Sequence, residues 1–102
     1  MIMIYVTLPD RQTAETVIDN LLTKNLIACA NLMSEVTAFY RWQGRRMKNT
    51  ELGALLKTTA ALFEPVCQQI RQDHPNECPC IISWPVAQGH PEYLQWVSQC
   101  VA

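Results

Sequence analysis

Charge is scarce in this chain, and runs of it scarcer. Only 17% of the 102 residues are charged, the formal net charge is −1, and Arg45-Arg46 is the one adjacent like-charged pair. A nucleic-acid-binding surface needs a basic patch or stripe, so no nucleic-acid partner is expected. No apolar run approaches the roughly 18 residues that a membrane span needs, so no membrane partner is expected either. The first residues, Met1-Ile2-Met3-Ile4-Tyr5-Val6, carry neither a charged leader nor a small-residue cleavage site; they read as a first strand rather than as a signal peptide. A disulfide framework is also missing. The five cysteines, Cys29, Cys67, Cys78, Cys80 and Cys100, are odd in number and irregularly spaced, which points to a cytoplasmic setting that keeps thiols reduced. There is no phosphate-cradling glycine loop, no Ser-His-Asp order and no paired-carboxylate motif, and no enzymatic activity is expected.

What the chain does have is apolar surface. Hydrophobic residues make up 49%, a high share for one small domain spanning residues 1–102, whose surface-to-volume ratio is unfavourable. Self-association is the simplest way to cover the excess.

Ile2, Ile4, Val6 and Leu8 alternate with Met3, Tyr5 and Thr7, the period of a strand. Pro9-Asp10 ends it, and Asp10 is placed to cap a helix whose buried stripe is Ala14, Val17, Ile18, Leu21 and Leu22. Asn25 suits the left-handed residue that closes such a helix. From Leu26 to Trp42 the chain is rich in β-formers without proline or glycine. That run is too long for an uninterrupted strand, and a bulge is expected near Ser34-Glu35. Gln43-Gly44-Arg45-Arg46 is the turn, and Lys48 to Thr59 the returning strand, with Leu52, Ala54, Leu56 and Thr58 on one face. A second helix follows, with Leu62, Val66 and Ile70 inward and a loose first turn before Pro65 as its first regular position; it stops at Asp73, ahead of Pro75. Cys80 to Trp84 makes a short strand, and Pro91 opens a last helix with Leu94, Val97 and Val101 on one stripe.

The order β-α-β-β-α-β plus a C-terminal helix predicts an α+β fold, the ferredoxin-like split βαβ arrangement with helices on one face of an antiparallel sheet. Two helices are too few to shield the long hairpin, whose tip carries Phe39, Tyr40 and Trp42. Pairing with further copies of the chain would protect that edge.

A set of short segments, in this order and spacing, resembles the CutA-type divalent-cation tolerance proteins over essentially the whole chain. They are Thr-Leu-Pro-Asp at 7–10, Thr13-Ala14, Leu-Ile-Ala-Cys-Ala-Asn-Leu at 26–32, Tyr-Arg-Trp-Gln-Gly at 40–44, Lys57-Thr58, His74-Pro75, Pro79, Pro85, Gly89, and Tyr93-Leu94 with Trp96. The resemblance implies a homotrimer joined through the long hairpins, similar in build to the PII signalling proteins. It also implies a role in tolerance of copper and other divalent cations, with no established catalysis. Two other readings stay open: a PII-like sensor of an anionic small molecule, and a scaffold for another protein. The chain departs from the family pattern at His74-Pro75-Asn76-Glu77-Cys78-Pro79-Cys80, where Asn76 replaces an aromatic and Cys80 a glutamate. Val6 and Asp73 stand where some relatives have a cysteine and a second histidine as proposed ligands, leaving His74 alone of that set.

Cys78 and Cys80 are therefore the residues of most chemical interest. Residues i and i+2 of an extended chain point the same way, with α-carbons roughly 6.5 Å apart. Two thiolates so placed suit a soft ion such as Cu(I) or Zn(II), with His74 able to add an imidazole. The alternative is that both sulfurs are small hydrophobes of the core, and that His74 serves its helix end through the dipole. Glu77 is either a further ligand or a partner for an arginine of another copy. Arg41 and Trp42 are candidates for a stacked anion platform or for assembly packing. Lys57 needs a partner if buried. Cys29 has no histidine near it in sequence, and nothing there points to a nucleophile.

Overall fold

The computed structural model describes residues 1–102. The chain forms β1 (Ile2–Leu8), α1 (Arg11–Thr23), β2 (Cys29–Trp42), β3 (Arg45–Thr58), a short 3-10 turn (Ala60–Leu62), α2 (Phe63–Asp73), β4 (Ile81–Pro85) and α3 (Pro91–Cys100). The four strands make one sheet in the order β2-β3-β1-β4 with every pairing antiparallel. The result is an α+β chain with a four-stranded antiparallel sheet and three helices.

The alternation in β1 is realised in full: Ile2, Ile4, Val6 and Leu8 are buried. They meet Leu52, Ala54 and Leu56 of β3, Ala14, Val17 and Leu21 of α1, and Val66 and Ile70 of α2 in one hydrophobic core. Asp10 caps α1 by accepting a hydrogen bond from the Thr13 amide at 2.7 Å. Asn25 takes a φ of 56° just past the helix, as its short amide side chain allows. Polar groups tie α1 to α2: Asp73 accepts from Asn20 at 2.9 Å and from Gln69 at 3.0 Å, and Lys24 donates to Gln69.

The long strand is broken where expected. Leu32 pairs with Ala54, yet Glu35 pairs with Leu52, so β2 carries one extra residue there and its side-chain alternation shifts. Beyond that bulge β2 and β3 continue as a ribbon of two strands, because β1 accompanies β3 only from Leu52 to Thr58.

Several boundaries differ from expectation, among them the start of β2 at Cys29 rather than Leu26. The hairpin turn is only Gln43-Gly44, at φ 51° and 79°, and β3 begins at Arg45 rather than Lys48. Two consecutive positive φ angles match the twist of the flanking strands and allow pairing right up to Trp42–Arg45. Pro65 is the third residue of α2 and not its first; the initial four amides of a helix have no partner within it, so a proline there forfeits no bond. Strand β4 begins at Ile81, after Cys80. Val101 follows the end of α3, leaving Val97 as that helix's buried residue.

Candidate functional site

The core side of the sheet uses the even residues of β1 and of β3 from Leu52 onward. The odd ones, Met3, Tyr5, Thr7, Gly53, Leu55 and Lys57, face the other way. At the ribbon end of the sheet lies a cavity of about 780 Å³. One wall is the curved ribbon, including Tyr40, Trp42 and Glu51. The other is the segment from Pro75 to Cys80 that joins α2 to β4.

That segment is held by His74. Its imidazole is buried, at 6% exposure. Nε2 donates to the Thr7 carbonyl at 2.8 Å, and Nδ1 accepts the Asn76 amide at 3.1 Å. An amide donor on Nδ1 fixes the tautomer with its proton on Nε2. The odd residues of β1 turn their carbonyls toward β4, as Met1 shows by accepting the Val86 amide. The Thr7 carbonyl is therefore the one a continued β4 would have taken through Cys80. His74 takes it instead, the ladder ends at Val6–Ile81, and Asn76 to Cys80 swing out as the cavity wall.

Cys78 and Cys80 are both exposed free thiols on that wall, and Glu77 is exposed beside them. His74 has both ring nitrogens engaged, by the Thr7 carbonyl and the Asn76 amide, and is not among the residues lining the cavity. No three His, Cys, Asp or Glu side chains stand close enough together to hold an ion. The expected grouping of His74 with Cys78 and Cys80 is thus corrected: the two thiols share the cavity and the imidazole anchors their segment. Glu51 of β3 lines the same cavity. Partial desolvation of the sulfur against the cavity wall chiefly, and then the Glu51 carboxylate, push the Cys80 thiol above its ordinary pKa. Glu51 and Cys80 are 29 positions apart in a chain that has to fold before they meet, and nothing in the sequence marks the pair.

Arg41 and Trp42 do not form one platform. Trp42 lines the cavity, whereas Arg41 sits opposite Arg46 across the ribbon and is not in its wall. Lys57 is far from the cavity. It lies at the other end of the hairpin, paired across the strands with Cys29, its ammonium 5.3 Å from the centre of the Tyr93 ring. The hydroxyl of Tyr93 stands 3.4 Å from the Cys29 sulfur. This contact of Cys29, Lys57 and Tyr93 was not foreseen, because Tyr93 comes from α3, and only the packing of that helix on the second face of the sheet brings it there.

The model of the CutA1 divalent ion tolerance protein family matches residues 2–100. This chain belongs to that family. The divalent-cation tolerance protein CutA of Pyrococcus horikoshii is 43% identical over 97 residues, covering 95% of this chain and 94% of the relative. Among solved structures, the divalent cation tolerance protein of Thermus thermophilus superposes with a TM-score of 0.97 at 33% identity, covering 100% of both chains. The CutA of Archaeoglobus fulgidus, described as periplasmic, gives 0.95 at 32% identity, again covering 100% of both. The CutA family is named for tolerance of metal ions and not for a reaction.

Proposed function

We propose that this chain is a divalent-cation tolerance protein, a cytoplasmic homotrimer that takes part in the response to metal ions by binding them rather than by catalysis. The subunit is of ferredoxin-like split βαβ type, a reading supported by the strand order β2-β3-β1-β4. Trimeric, PII-like assembly is supported by the ribbon beyond Leu52. A two-stranded ribbon is marginal in water by itself, and this one exposes Phe39 at 67%, with Tyr40 and Trp42 beside it. Five free thiols fit a reducing compartment.

One observation carries the metal reading: Cys78 and Cys80 face a single cavity, with Glu51 and Glu77 on the same walls. Two thiolates and two carboxylates make a donor set for a soft or borderline ion, Cu(I) or Zn(II), in preference to Mg(II). The set is not preassembled, so binding requires these side chains to converge on the ion. The test is competitive titration of the reduced protein with a Cu(I) chelator, against the Cys78→Ser/Cys80→Ser double variant. The reading requires the native affinity to fall at least about tenfold in the double variant, the change expected when a thiolate ligand to a soft ion is lost. Unchanged affinity with assembly intact would remove these cysteines from the metal's path.

A further inference from the structure

The group at the opposite end of the hairpin has a chemistry of its own. Cys29 starts β2 and faces away from the core, half-buried. Its cross-strand partner is Lys57, and α3 sets Tyr93 over both. The Tyr93 hydroxyl has one proton to give. Lys57 is a donor only, and its ammonium lies 5.3 Å from the centre of the Tyr93 ring. The Tyr93 hydroxyl and the Cys29 sulfur are 3.4 Å apart, and either donates while Cys29 is a thiol; toward the thiolate only the hydroxyl can donate. Lys57, the cross-strand partner of Cys29, also senses the sulfur by charge. The partners that raise the Lys57 ammonium's pKa are Tyr93 and Cys29, and no carboxylate is among them. Of the five cysteines, Cys29 is the one whose sulfur has a hydrogen-bonding side chain. A half-exposed thiol beside a cation and a hydroxyl donor is the environment of a reactive cysteine, and the uncompensated ammonium selects the charge of what approaches.

We infer that Cys29, Lys57 and Tyr93 form a modification site at which Cys29 undergoes thiol–disulfide exchange with small disulfides bearing carboxylates. The Cys29 thiolate attacks one sulfur of the incoming disulfide. That S–S bond breaks, a new one joins Cys29 to half of the reagent, and the other half leaves as a thiolate. The leaving thiolate takes up the proton that Cys29 released, and the incoming disulfide is the only oxidant involved. Lys57 draws the reagent's carboxylates, and Tyr93 steadies the attacking sulfur. The site lies at the base of the hairpin, away from the ribbon and from Cys78 and Cys80, so it is independent of the metal reading.

The probes are glutathione disulfide, which is anionic, and cystamine, which is cationic, applied to the native protein in low salt. Each cysteine is quantified by peptide mass spectrometry, with exposed Cys78 as the internal reference. Relative to Cys78, Cys29 should favour the anionic reagent about fivefold to tenfold, and added salt should erase the preference. Lys57→Gln should remove the preference, and Tyr93→Phe should slow both reagents alike. Cys29 left unmodified while Cys78 reacts to completion would overturn the proposal, as would a charge preference that is absent or survives in Lys57→Gln. The native comparison and its salt dependence decide the matter even where a variant fails to fold.

Discussion

His74 Nε2 donates to the carbonyl of Thr7 at 2.8 Å, and that bond divides the sheet from the cavity wall. With His74 replaced by alanine, the Thr7 carbonyl and the Asn76 amide both lose their partner, and a buried imidazole leaves a void. Together these should lower stability by roughly 2–4 kcal/mol, read as a drop in the urea midpoint at unchanged slope. The Asn76 amide should also exchange its hydrogen faster relative to the amides of β1. A midpoint shift worth less than about 0.5 kcal/mol, within the range of an ordinary surface change, would show that the imidazole is a passenger.

The ribbon makes a prediction about assembly. Its backbone edges and exposed aromatics call for a neighbour, and sedimentation equilibrium at micromolar concentration should return three times the chain mass. Trp42→Ala should shift the assembly toward smaller species. His90→Ala, at an exposed position just ahead of α3, should not. A monomer mass for the native protein, or equal profiles for the two variants, would dismiss the hairpin as the assembly element.

The legibility of this chain follows the range of the interactions. Alternation in β1, the Asp10 cap, the left-handed Asn25 and the bulge before Glu35 are settled by neighbours in sequence, and each was visible there. The start of β4 at Ile81 was not, because it depends on His74 reaching a carbonyl 67 positions away. For the same reason the sequence placed His74 with the cysteines that follow it, although its ring turns back into the sheet. Glu51 and Tyr93 escaped notice because each meets its cysteine only across a strand or helix that the topology brings near. Cys78 and Cys80 were readable as a pair, since i and i+2 share a face in any extended segment.

Lys57 gives an alkaline signature. The Tyr93 hydroxyl holds its ammonium above the ordinary value, burial opposes this, and the Cys29 sulfur adds to the rise. A group whose folded pKa exceeds its unfolded one contributes stability that is complete below the unfolded pKa, about 10.4, and disappears as pH climbs through the folded value. Denaturant midpoints should therefore decline above about pH 10.4 more steeply in the native protein than in Tyr93→Phe. Parallel declines would mean that the hydroxyl does not support the ammonium.

On the metal reading proposed above, Cys80 should set the pH dependence of binding. A thiol must lose its proton to ligate a soft ion, and burial together with Glu51 makes that loss harder at Cys80. Affinity for Cu(I) should therefore weaken as pH falls, and the weakening should begin at a higher pH than an ordinary thiol of pKa about 8.5 would give. Glu51 acts in two directions. Its charge opposes the thiolate in the free protein, yet it is a carboxylate on the wall of the cavity that the ion would enter. Glu51→Gln separates the two. Without metal, alkylation of Cys80 should extend to lower pH in Glu51→Gln, because the repelling charge is gone. With Cu(I), the variant should bind less tightly at high pH, where the thiolate is already formed and only the attraction for the cation is lost. The two curves should approach one another as pH falls. Alkylation profiles that coincide would show that Glu51 does not act on Cys80, and equal Cu(I) affinities at high pH would show that the ion does not sense the carboxylate.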